Sequence, residues 1–160
     1  MEIDEILADI ITHDLTLDPK RVILYSQNYY APKDNNMYVI ISTRQAHILA
    51  NTNNYNKNDN TEIKGVVSFS NLDIDITSKS REAMERKEEV IMALTSCYSL
   101  QIQEQYQIRI FRNNNILDLS FIEGGSALHR YRISVTISNI KTKITIVDYF
   151  DKFPKEEKIS

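Results

Sequence analysis

The stretch from Glu62 to Thr77 constrains this chain more than any other, because its apolar residues change phase partway along. Val67 and Phe69 fall on odd positions, whereas Leu72, Ile74 and Ile76 fall on even ones. Side chains on a strand alternate between its faces, so one face cannot hold both sets unless an extra residue intervenes. The pattern predicts either a β-bulge near Ser70 or a strand whose first half packs against something other than its own core. A second change comes at Asn139-Ile140: Tyr131, Ile133, Val135 and Ile137 are odd, while Ile140, Ile144 and Ile146 are even. There the expectation is a strand, a turn or bulge, and another strand.

The other segments fit around these two. Ile3, Ile6, Leu7, Ile10 and Ile11 follow helical spacing, with acids near the start where the helix dipole favours them. Val22 to Tyr25 predict a short buried strand, and Met37 to Leu49 a longer one. Asn51 to Thr61, with 6 Asn in its first ten residues, predicts a mobile hairpin tip. A second helix is expected after Ser78 or Ser80 as cap, with a Glu82–Arg86 ion pair and an apolar stripe from Ala83 to Tyr98 that buries Cys97. Ile108 to Phe111 and Ile116 to Phe121 predict two strands joined through a turn at Asn113-Asn114-Asn115. The expected fold class is α+β: a mixed, mostly antiparallel sheet with two helices packed on one face and an extended hairpin. A single domain over 1–150 and a charged, flexible tail over 151–160 complete the organisation, with no repeat or linker.

Glycine enters the argument by its scarcity. There are 3 in 160 residues, no GxGxxG, GxxxxGK or GxSxG spacing exists, and phosphate-loop chemistry and the nucleophile elbow are excluded. The 14 asparagines are the natural substitutes at left-handed turn positions. No residue pattern nominates a catalytic group, a metal ligand or a cofactor, and the expectation is a protein that is not an enzyme. His13, His47 and His129 lack metal-ligand spacing, and Ser126 lacks an elbow. Asn71, Asp73 and Asp75 share one strand face; two carboxylates there suit a divalent cation or, more simply, a solvated face.

The net charge of -3 is unevenly spread, with -6 over residues 1–104 and +3 over 105–160. That balance argues against sequence-specific nucleic-acid binding, while the basic C-terminal third suits an acidic partner surface. Met1 to Leu7 lacks the basic start of a signal peptide and no run is long enough to span a bilayer, so a cytoplasmic protein with no membrane partner is expected.

The order of elements, with Ser26-Gln27-Asn28 and Pro32, Leu72-Asp73-Ile74-Asp75-Ile76-Thr77 before the second helix, Leu117-Asp118-Leu119-Ser120, and Arg130-Tyr131-Arg132-Ile133, resembles the tail terminator or neck proteins of tailed phages and phage-derived contractile particles. The resemblance implies a homo-oligomeric ring, a hexamer, that caps the tail tube, stops its growth and joins it to the neck. It implies the tube, the sheath and a neck or connector protein as partners, synthesis in the bacterial cytoplasm and incorporation into a virion or tail-like particle. Under it, Asn71, Asp73 and Asp75 would face the channel, and Arg130, Arg132, Lys141 and Lys143 would face acidic groups of a neighbouring subunit or of the tube. The alternatives are a head-tail connector or completion protein, or a ligand- or metal-binding protein with an unrecognised site.

Overall fold

The protein is described by a computed structural model over residues 1–28 and 30–147, so the tail expected at 151–160 lies outside the described residues. Ile3–Leu15 form α1, and its spacing delivers Ile6, Leu7, Ile10 and Ile11 to the core. Glu5 accepts a hydrogen bond from the Glu2 amide at 2.8 Å, closing the first turn. A 3-10 turn at Pro19–Arg21 leads into β1 (Val22–Leu24), which pairs parallel with β2 (Tyr38–Asn56). Then come β3 (Thr61–Ser78), α2 (Glu82–Leu94), α3 (Cys97–Gln105), β4 (Ile108–Asp118), β5 (Phe121–Glu123) and β6 (Ser126–Ile146). The sheet order is β1-β2-β3-β6-β4, with β5 on the start of β6, and every pair except β1–β2 is antiparallel. This is the expected α+β class, with three helices among the described residues instead of two.

The extra helix arises because the expected second one breaks at Thr95-Ser96. Ser96 Oγ accepts from the Ser99 amide at 3.0 Å and so starts α3 afresh. Cys97, read from sequence as buried, is exposed on the first turn of α3. At the head of α2 both candidate serines contribute: Ser78 Oγ accepts from the Ala83 amide at 2.9 Å and Ser80 Oγ from the Glu82 amide at 3.3 Å. The Glu82–Arg86 pair forms at 3.2 Å, and Arg86 also donates to the Leu15 carbonyl at 2.8 Å, tying α2 to the end of α1.

Neither the bulge expected near Ser70 nor the turn or bulge expected at Asn139-Ile140 is present; β3 takes the other form expected of it, a strand whose first half lies away from its own core. β3 and β6 pair without interruption from Thr61↔Ile146 to Ser78↔His129, so neither contains a bulge or a turn. The extra residues sit on β2, where Arg44 and Leu49 interrupt the register with β3. What changes along β3 and β6 is which face is covered. Near the helices, Leu72, Ile74, Ile76, Tyr131, Ile133, Val135 and Ile137 join the helix residues in one core. Past Ser70 toward the hairpin, the strands leave this core and the isoleucines of β6 move to the opposite face.

Two asparagine-rich segments are also strand. β2 continues through Asn56, leaving only 57–60 to turn, with Asn60 at φ 50° supplying the left-handed residue. Residues 113–115 are no hairpin turn. They bulge out of β4 between Arg112↔Val135 and Ile116↔Ile133. The glycine pair makes the real hairpin here, Gly124 and Gly125 turning at φ 55° and 83° between β5 and β6.

Candidate functional site

Two regions lie on the sheet face away from the helices. The first is a polar ladder across β3 and β6. Thr136 Oγ1 donates to Asn71 Oδ1 at 2.8 Å, and Ser134 Oγ donates to Asp73 Oδ1 at 2.7 Å. Arg132 grips Asp75 through two nitrogens at 2.7 and 3.0 Å, and Arg130 adds a third bond to the same carboxylate at 2.6 Å. The unbroken β3–β6 register makes these contacts, since it sets Asn71, Asp73 and Asp75 opposite Thr136, Ser134 and Arg132. Burial pushes the Asp75 carboxyl up, but the hydrogen bonds from Arg132 and Arg130 outweigh it and hold it below the usual aspartate range. The same pairing raises Arg132.

The face expected to be solvated or channel-lining is therefore largely buried. Asp73 and Asp75 are 1% and 3% exposed, covered by arginine side chains, and only Asn71 is partly open. Two carboxylates so engaged do not present a free pair to a cation, and no group of three or more His, Cys, Asp or Glu suited to a metal exists among the described residues. The four basic residues also separate. Arg130 and Arg132 lie on this face and take their acidic partner from within the chain. Lys141 and Lys143 alternate onto the helix-side face, where Lys141 reaches Glu2 at 3.5 Å in an exposed pair. They cannot form one patch with the arginines.

Arg44 is the member of this site that sequence reasoning missed. As the extra residue of the first β2 bulge it leaves the alternation, and its Nε lies 2.9 Å from Asp73 Oδ2. No glycine or other local signal marks that bulge. Above the ladder opens a basin of about 540 Å³, whose wall includes Tyr25, Tyr38, Phe121 and Leu128.

The second region is a three-stranded arm. β1 pairs only with Val39 to Ile41, and β4 reaches only Asn139 of β6, so beyond those points β2, β3 and β6 continue without neighbours among the described residues. Its seven further residues on β3, Thr61 to Val67, extend it by about 23 Å at the usual rise per strand residue. On the face that carries the ladder, Ile63 pairs with Ile144 and Val67 with Ile140, and Phe69 packs against Phe111 with ring centroids 6.2 Å apart. Ile140, Ile144 and Ile146 are 51%, 66% and 83% exposed.

The histidines are dispersed: His47 on β2 sits opposite Phe69, His129 on β6 sits opposite Ser78, and His13 lies on α1. His13 bonds Asp14 at 2.8 Å and stacks on Tyr98 at 3.7 Å, while Tyr98 donates to Asp9 at 2.7 Å; these contacts join α1 to α3. No described helix is long and apolar enough to cross a membrane. No protein-family model matches the chain, and no curated protein matches it.

Proposed function

We propose that the chain is a structural assembly protein that works as a homo-oligomeric ring at the end of a phage or phage-like tail tube. The carrying observation is the arm: a row of isoleucines on β6, Ile140, Ile144 and Ile146, half or more exposed, on a three-stranded extension whose outer edges have no partners among the described residues. Exposed apolar rows and open strand edges are the surfaces that proteins cover by association. One arm per subunit, laid on a different surface of the next subunit, gives the head-to-tail contact that closes into a ring. A ring matching the tube end on one side only would stop further addition and leave its other side for the neck or connector. Contact chemistry of this kind asks for no catalytic group and no cofactor.

Native mass spectrometry at micromolar concentration, with negative-stain imaging of isolated tubes plus the protein, tests the reading. A ring seated on tube ends is the expected result, and Ile144→Ser with Ile146→Ser removes both ring and seating. A strict monomer that never binds tube ends overturns it. A ring that ignores tubes and binds the portal side supports the connector reading.

A further inference from the structure

The basin over the polar ladder has the features of a binding site, and none of them depends on ring assembly. Three guanidiniums, Arg44, Arg130 and Arg132, surround two carboxylates, Asp73 and Asp75, leaving one net positive charge at the base of an open cavity of about 540 Å³. Asp75 is saturated by Arg130 and Arg132. Asp73 holds Arg44 by its Nε, so the two terminal nitrogens of Arg44, on a side chain 57% exposed, make no bond to any described residue. A guanidinium fixed by one edge offers its other edge as a preset fork for a carboxylate. A second observation points the same way: two buried polar atoms in the basin wall, Thr77 Oγ1 and Arg130 Nε, lack hydrogen-bond partners, and Thr77 is 2% exposed. Buried polar atoms are almost always paired, so two orphans in one wall mark an incomplete site.

We infer that this basin takes a carboxylate carried on a peptide segment of a partner protein, an acidic side chain next to an apolar residue. The single net charge matches a monoanion. A phosphate dianion would leave surplus charge against Asp73 and Asp75. The open shape suits an extended segment, and Tyr25, Phe121 and Leu128 offer it apolar contact.

The test is amide NMR of the isotope-labelled full chain at low salt, titrated with the peptide Ac-Leu-Glu-NH2, with Ac-Leu-Gln-NH2 and with inorganic phosphate. Saturable shifts at Ser42, Thr43 and Thr77 are expected with the Glu peptide, and binding at least about tenfold weaker with the Gln peptide, as loss of a charged fork contact requires. Arg44→Gln is expected to weaken the Glu peptide at least about fivefold; Arg44→Lys, which keeps the charge beside Asp73 and loses the fork, is expected to weaken it about threefold or more with the spectrum otherwise unchanged. Equal binding of the two peptides, indifference to both variants, stronger perturbation of the same amides by phosphate, or no saturable shift up to tens of millimolar would each overturn the inference.

Discussion

The two ends of β3 and β6 are built from the same two strands in one unbroken register, yet they bury opposite faces. Near the helices the apolar set, Leu72, Ile74, Ile76, Ile133 and Val135, is closed under α1 and α2, and the other face carries the ion-paired ladder. Along the arm the helices are gone, and Ile63, Ile140, Ile144 and Ile146 stand open on the face that carried the charges. The lesson is that a phase change in a hydrophobic pattern need not record a break in the strand. It can record a change in what covers the sheet. One half buries its apolar set within the chain, and the other leaves its apolar set exposed.

The sharpest way to break that contrast is to make the same kind of substitution in both halves. Ile133→Ala, at 0% exposed, is expected to cost about 3–4 kcal/mol through lost burial and a cavity, measured by urea unfolding. Asp75→Asn comes next, at about 3 kcal/mol, because it leaves Arg130 and Arg132 partly buried against an uncharged partner. Acid sharpens the same point. The Asp75 carboxyl is held below its ordinary value of 3.8, so its contribution is complete above that pH and is lost as pH falls through the lowered folded value. Thermal melts of the native chain should therefore drop more steeply below about pH 4 than those of Asp75→Asn. Smallest of all, Ile144→Ser should change monomer stability by no more than about 0.5 kcal/mol while abolishing assembly, which reverses the order seen in the core.

Some of this was written plainly in the sequence. The spacing of Ile3 to Ile11 gave α1, and the strand patterns gave an α+β sheet, because these signals are local. The meaning of Asp73 and Asp75 was not local. A polar residue alternating with Leu72 and Ile74 reads as solvent-facing until the register shows Arg132 and Ser134 opposite. The asparagine runs misled for a related reason: low strand preference predicts a loop at Asn51 to Asn56, but pairing with β3 overrides it. Arg44 was illegible altogether, since a bulge on β2 is defined only by what β3 does beside it.

The distance along the chain between the partners in the ladder has a further consequence, for folding. The acids belong to β3, which pairs locally with β2 through a short turn, whereas Arg130 and Arg132 arrive only with β6, after α2, α3, β4 and β5 have been made. Local contacts form before remote ones. Until β6 docks, the hairpin displays Leu72-Asp73-Ile74-Asp75-Ile76 with Asp75 lacking its arginine partners, and the charge on that segment repels any second copy that would add to it. Stripped of the acids, those residues would be a short, apolar, charge-free strand of the kind that seeds aggregates. Asp75, which ends at the anchored base of a polar face, is thus placed to act first as a gatekeeper of a half-made sheet.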